Sequence, residues 1–369
     1  MSTPTPSSHG PATPLSLGVG ATPLPERRHD RPVSIRQVAA HAGVSIATVS
    51  RVMNKSADVS PETAARVRKA VDELGYSPNP LARGLGSSDT RVLGIALPWF
   101  QGEFFTELLQ GADEEAVRLG YHLMVTSITT NPDGRRRNRI VGSRLVEGTV
   151  LMIEKTDNPL WRDALDAGVP TVIIDTDLTA HGLDSVVLDN EKGTAEAVEH
   201  LLRWVQPAKL YFAGGARDNY DAARRGDAFM ATLLKRGHTA KPEQVVYGDY
   251  AVEWGREWLL RLCSMVGGAD HLKGSAVLAG NDEIAVGIVR AAESLRLRVP
   301  DDIRVVGFDD TQLSRMIKPS LSTVALDMAH VGATAISMLV RRLENPSTPA
   351  TCVRVPTQLV VRESSTAMS

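Results

Sequence analysis

Cysteine is almost missing from this chain of 369 residues: only Cys263 and Cys352 occur. The two share no paired spacing, which argues against a disulfide framework or a thiolate metal site. Long apolar runs are missing too. None approaches the ~18–20 residues that span a bilayer, so no membrane helix is expected. The first thirty residues are rich in Pro, Ser, Thr and Gly. They lack the basic start and apolar core of an export signal and read as a disordered tail of a cytoplasmic protein. No GxGxxG follows the first strand, no GxxxxGK[ST] occurs, and the nine histidines never adopt HExxH spacing. Those absences count against the common nucleotide-binding and zinc-hydrolase classes, and neither a cofactor nor a metal is expected. No repeat of solenoid length is visible.

What is present begins at Ser34. The stretch SIRQVAAHAGVSIATVSRVMN reads as two short amphipathic helices joined by a glycine turn. Ser34 is placed to cap the first helix, whose Ile35, Val38, Ala39 and Ala42 fall on one face. Gly43 stands where a turn between helices often needs positive φ. Ser45 is placed to cap the second helix, where Ile46, Val49, Val52 and Met53 are apolar and Thr48, Ser50 and Arg51 stay polar. A third helix is announced by Ser60 as cap, Pro61 in the first turn and Glu62 at the positive dipole end. Ala64, Val67, Val71 and Leu74 form its apolar face, and Gly75 stops it. Three short helices with this grammar make a small DNA-reading head.

Charge divides the chain at the same place. Residues 31–86 carry eight Lys and Arg against four acids, a net of +4, while residues 1–30 sum to zero. The formal total is −2, so the remainder carries −6. A near-neutral whole hides a basic head on an acidic body, as expected when only the head meets phosphate.

Beyond Tyr76 lies a proline-rich linker, SPNP, then Leu81–Leu85, which has the length of about one and a half helical turns and is too short to be stable alone. From Arg91 onward, apolar strands alternate with helices. Strands are expected at 92–97, 122–128, 149–153, 171–175, 185–188, 210–214, 244–247, 276–279 and 304–308, with helices such as 104–119, 194–204 and 282–295. This is the pattern of buried parallel sheet, and two doubly wound subdomains fit it better than one. In such folds ligands sit beyond the carboxyl ends of the strands. Asp175, Asn281 with Asp282, and Asp309 with Asp310 stand at such ends, where helix capping and ligand contact are both open readings.

With head, linker and strand ends read, the chain resembles the lactose-repressor (LacI/GalR) family of transcriptional regulators, from about Val33 to Glu363. VAAHAGVSIATVSRVMN, GYSPNPLARGL, VLDNEKGTAEAVEHLL, VLAGNDEIAVGIVRA, VPDDIRVVGFDDT and LSTV carry the resemblance by their order and spacing. It implies an all-α helix-turn-helix head on an α/β body of periplasmic-binding-protein type. The implied organisation is a tail (1–32), the head (33–78), a hinge helix and linker (79–90), a ligand-binding and dimerisation domain of two subdomains (91–363), and a C-terminal tail (364–369). Ile46, Ala47 and Arg51 match positions facing base edges in the major groove. Ser45, Thr48, Ser50 and Asn54 complete the implied DNA surface, with Thr48 and Ser50 read as phosphate contacts or local caps. Ala82 and Leu85 match the hinge residues that enter the minor groove, where Leu85 wedges between the central base steps.

In the body, the resemblance places ligand contacts at Asp175, Arg225, Asn281 and Asp309, with Phe104, Phe105 and Tyr250 lining the cleft. Arg225 lies in Arg-Gly-Asp-Ala-Phe, where Ala228 replaces the usual glycine, and adjacent Arg224 leaves the assignment open by one residue. Asp282 and Asp310 are read as caps. After the first strand the family loop usually carries Asn-Pro before its aromatics, whereas this chain reads Pro98-Trp99-Phe100-Gln101-Gly102-Glu103, and the extra aromatics either reshape the cleft or pack a subunit contact. The chain ends without a leucine heptad, so a homodimer is expected rather than a tetramer. The implied function is a regulator, of repressor type, that binds a near-palindromic operator under control of a sugar-like effector. A purine or nucleoside is the alternative effector. An enzyme of the doubly wound class leaves the basic head unexplained, and a secreted sugar-binding transport protein lacks its export signal.

Overall fold

The computed structural model describes residues 33–53, 59–76, 90–98, 103–130, 136–138, 140–143, 145–155 and 157–366. Asn54, Ala82, Leu85, the Trp99–Phe100 pair, the expected hinge helix and the N-terminal tail lie outside these residues. The chain divides into two units at Asn79, close to the boundary read from the sequence.

The first unit holds α1 (Ile35–Ala42), α2 (Ile46–Met53) and α3 (Pro61–Leu74). Ser34 accepts from the Gln37 amide, and the Gln37 side chain returns a bond to the Ser34 amide, a complete capping box. Gly43 ends α1 at φ 64°, a left-handed turn in which any side chain would be strained. Ser60 caps α3, and Gly75 closes it at φ 60°. Val38, Val49, Val52, Val67 and Ala70 meet in one small core. Ala70 thus joins the buried face, while Ala64, Val71 and Leu74 are only partly covered.

The second unit contains two six-stranded sheets. The first uses β1 (Val92–Leu97), β2 (His122–Ser127), β3 (Gly148–Met152), β4 (Thr171–Ile174), β5 (Asp184–Leu188) and β11 (Cys352–Val355). Its order is β11-β5-β4-β3-β1-β2, parallel throughout. The second uses β6 (Leu210–Gly214), β7 (Val245–Tyr247), β8 (Ser275–Ala279), β9 (Ile303–Asp309), β10 (Ser322–Ala325) and β12 (Gln358–Val360). Its order is β12-β10-β9-β8-β6-β7, and only β12 runs antiparallel. The central strands β1, β3, β4, β6 and β8 are buried at every position, because helices cover both faces.

The principal helices of this unit are α4 (Glu103–Arg118), α5 (Leu160–Asp166), α6 (Asn190–Leu201), α7 (Tyr220–Lys235), α8 (Val252–Met265), α9 (Asp282–Ser294) and α10 (Met328–Glu344). The chain crosses between sheets three times: after β5, between β10 and α10, and between β11 and β12. The apolar pattern announced none of β10, β11 and β12; β11 and β12 each close one outer edge, and β10 lies just inside β12. The helices α4 and α10 approach until backbones touch. A Cβ on Gly111 would lie 2.0 Å from the Ala329 carbonyl oxygen, and one on Gly332 would lie 2.1 Å from that of Leu108.

The expected tail from 364 needs correction. Ser364 and Ser365 are buried, with the Ser364 hydroxyl donating to the Val305 carbonyl and Ser365 bonding His200 and Ser322. Their hydroxyls fill polar gaps beside β9 and β10, so the body extends to at least Thr366.

Candidate functional site

The head offers one surface of interest. Val49 and Val52 turn inward, which leaves Ile46, Ala47 and Arg51 exposed on the other side of α2. Ile46 is 44% exposed. The Ser45 hydroxyl accepts from the Thr48 amide at 3.1 Å and pairs with the Thr48 hydroxyl at 2.9 Å. Both therefore brace the start of α2, and Ser50 is half-buried beyond them.

In the body, the carboxyl ends of β3, β4, β8 and β9 converge on a cavity of about 170 Å³ between the subdomains. The first subdomain lines it with Phe104 and Phe105 at the start of α4, Met152 and Glu154 after β3, and Asp175 after β4. The second contributes Asn219, Asp221 and Arg225 around α7, Tyr250 before α8, Asn281 before α9, and Asp309 at the end of β9. All seven ligand residues named from the sequence thus line one cavity. Three links bridge its mouth: the Tyr220 amide donates to the Glu154 carbonyl at 2.8 Å, Lys155 pairs with Asp218, and the Gln312 amide donates to Glu103.

Arg225 is the centre of this arrangement and is 3% exposed. Its Nε donates to Asn190 Oδ1 at 2.8 Å and its Nη1 to the Gly280 carbonyl at 2.5 Å. Asp309 lies 3.8 Å from Nη1 and Asp221 3.9 Å from Nη2, while the guanidinium stacks on Phe308 with its carbon 3.7 Å from the ring centre. Arg224 points elsewhere, stacking on Tyr220 and facing Glu191 at 3.7 Å. Of the two adjacent arginines, Arg225 is the one that lines the cavity. Asn190 and Asp221 escaped the sequence reading, although Asp221 stands four residues before Arg225, the spacing of a helical ion pair.

The acids here are costly to keep charged. Burial pushes the Asp175 carboxyl well above the usual carboxylate range, and Asp221 and Glu154 push it further. Asp309 is likewise raised well above its usual value by burial, against the pull of Arg225, and Asp221 is raised for the same first cause. Asp175 and Asp309 also hold positive φ, 78° and 106°, a sparsely allowed backbone region. Asp175 Oδ1 is buried without a hydrogen-bond partner among the described residues. Burial raises the Tyr250 phenol, whose hydroxyl donates to Asn219 at 3.3 Å.

Two cap readings are corrected. Asn281, named as a ligand residue, is the cap of α9: its Oδ1 accepts from the Ile284 amide at 2.9 Å while the residue borders the cavity. Asp282 is not the cap. It reaches away from its own helix and accepts from the Thr311 amide and hydroxyl and from the Thr323 hydroxyl. Asp310 does not cap either, because Arg315 and Arg362 converge on its carboxylate at 3.0 and 2.5 Å.

Comparison with known proteins places both units. Residues 34–79 match the model of bacterial regulatory proteins of the lacI family, and residues 198–365 match a periplasmic binding protein-like domain. Catabolite control protein A of Priestia megaterium is 29% identical over 334 residues, covering 90% of this chain and 99% of that protein. The ribose operon repressor of Escherichia coli (strain K12) is 30% identical over 319 residues, covering 85% and 94%. The structure of the lac repressor dimer bound to operator and the anti-inducer ONPF superposes with a TM-score of 0.78 at 26% identity, over 91% of this chain and 100% of that one. No helix among the described residues is long and apolar enough to cross a membrane. The chain belongs to the lacI family of bacterial regulatory proteins and is a DNA-binding transcriptional regulator, not an enzyme.

Proposed function

We propose that this regulator is a cytoplasmic homodimeric repressor that binds a near-palindromic operator and is switched by a sugar or sugar derivative in the cleft. The observation that carries the reading is the convergence of Asp175, Arg225, Asn281 and Asp309 with the rings of Phe104 and Tyr250 on one cavity. Fixed polar groups suit hydroxyls, and an aromatic face suits the apolar side of a pyranose. The ribose operon repressor and the repressor PurR both stand among the relatives, at 30% and 29% identity, so the preference for a sugar rests on the cavity lining. In the head, Ile46 and Ala47 offer apolar contact to a thymine methyl, and Arg51 offers a bidentate fork to guanine. Thr48 and Ser50 contact phosphate, and Asn54 adds to the same surface. Two heads read half-sites about one helical turn, ~34 Å, apart, and the hinge residues Ala82 and Leu85 enter the minor groove between them.

Ligand acts by binding two states of the cleft unequally, since equal affinity shifts nothing. The test has two arms. Selection from random DNA should enrich a palindrome, and enrichment of asymmetric sites would refute dimeric operator binding. A thermal-shift screen of sugars, sugar phosphates and nucleobases should stabilise the body with a sugar, and stabilisation by nucleobases alone would transfer the reading to a purine.

A further inference from the structure

The cavity is strongly one-sided in charge. The first subdomain lines it with three carboxyls, Glu103, Glu154 and Asp175, and the second with four, Asp221, Asp282, Glu283 and Asp309. Arg225 is the one cationic side chain among the described residues that line it. Its Nε and Nη1 donate to Asn190 and the Gly280 carbonyl, and its charge is already paired at 3.8 and 3.9 Å with Asp309 and Asp221 of the second subdomain. Asp282 is likewise satisfied by Thr311 and Thr323. Across the cleft, Asp175 has no ion pair among the described residues, is 5% exposed, and keeps Oδ1 without a hydrogen-bond partner. A buried carboxylate left this way is unfavourable until a proton or another positive charge reaches it.

We propose that the effector carries a protonated amine on its hydroxylated framework, and that the amine seats on Asp175. The proposal rests on the reading of the cleft as the effector site and deepens it to a ligand class, an amino sugar or comparable amino polyol. Asp221 and Arg225 on α7, Glu154 after β3 and Asp309 at the end of β9 face the same carboxyl and leave a net negative field there. A metal ion is a poorer occupant, since no three His, Cys, Asp or Glu among the described residues are placed to hold one. An ammonium needs only a carboxylate and hydrogen-bond acceptors, and Phe104 and Tyr250 at the cavity wall add aromatic faces that attract cations. The raised proton affinity of Asp175 fits this occupant, because a cation beside the carboxyl offsets the burial and the neighbouring acids that raise it.

Matched pairs of shape test this on the full chain by titration calorimetry: Tris against pentaerythritol, D-glucosamine against D-glucose, and D-galactosamine against D-galactose. At about pH 6 the amines are protonated, α-amino groups titrating near ~7.7–8.0. In every pair that binds, the amine should be at least tenfold tighter, and Asp175→Asn should shrink that preference to under about threefold. A neutral member binding as tightly as its amine overturns the inference while leaving the cleft as a polyol site. Binding of no member in any pair overturns the polyol reading itself, and the amine with it. Should D175N fail to fold, the wild-type pair comparison decides alone.

Discussion

Replacing Asp282 by Asn should change how the stability of the body depends on pH, by an amount the structure sets. The Asp282 carboxylate is buried at the start of α9, where it holds Thr311 and Thr323 in the loop and strand beyond Asp309. Burial raises it from 3.8 to about 6, against the hydrogen bonds from both threonines. An acid raised on folding makes the folded state bind more protons than the unfolded one. Stability is therefore greatest below the unfolded value, falls as pH rises towards 6, and is flat above. At ~1.36 kcal/mol per unit, a rise of about two units costs ~3 kcal/mol in total, of which ~2 kcal/mol falls between about pH 4.5 and 7.5. Asn keeps a similar shape and carries no titration. Its local cost enters at both pH values and cancels in the difference. Unfolding free energies from urea titration should thus show D282N gaining ~2 kcal/mol on the wild type between these conditions. All five tryptophans lie beyond residue 79, so their fluorescence reports the body and not the head. A difference that stays constant within ~0.5 kcal/mol, or moves the other way, would refute the placement of a buried carboxyl with raised proton affinity at Asp282.

Three further outcomes are expected. Arg51→Ala should weaken discrimination at one base pair per half-site by ~1–3 kcal/mol in binding competitions, whereas a uniform loss on all sequences would reduce Arg51 to a phosphate contact. Ser60→Ala removes the α3 cap and should cost the head ~1 kcal/mol by circular dichroism melting of residues 33–79; no change would mean the cap is dispensable there. Gly332→Ala forces α4 and α10 apart and should destabilise the body by ~1–3 kcal/mol, seen as a lower tryptophan unfolding midpoint; an unchanged midpoint would contradict the backbone contact at Leu108.

Much of this was legible because local rules governed it. The caps Ser34 and Ser60 and the turn at Gly43 need only neighbours three or four residues away, and all three stand where the residues indicated. The continuous apolar runs of β1, β3, β4, β6 and β8 announce strands buried on both faces. Strand β11, CVRV, is edge-on and mixed in polarity, and β12 has only three residues; neither carries a period long enough to read. At the site, Asp175, Arg225 and Asp309 were visible as polar residues at strand ends or in a family phrase. Their roles were harder to separate. Asn281 and Asp282 are adjacent and chemically alike, yet one caps α9 and the other bridges to Thr311, twenty-nine residues on.

The sequence alone determined the three-helix head, its basic charge against an acidic body, the alternation of strand and helix, and the set of polar residues at the strand ends. The tertiary structure decided which of two adjacent arginines turns into the cleft. It also decided that this arginine donates to the carbonyl of Gly280, fifty-five residues away, and pairs with two carboxyls, and that Asp175 Oδ1 has no hydrogen-bond partner among the described residues. Local propensity acts over one or two turns of chain. Burial, and hence the cost of a charge, is set by segments of two sheets that meet only once the chain has crossed from one to the other.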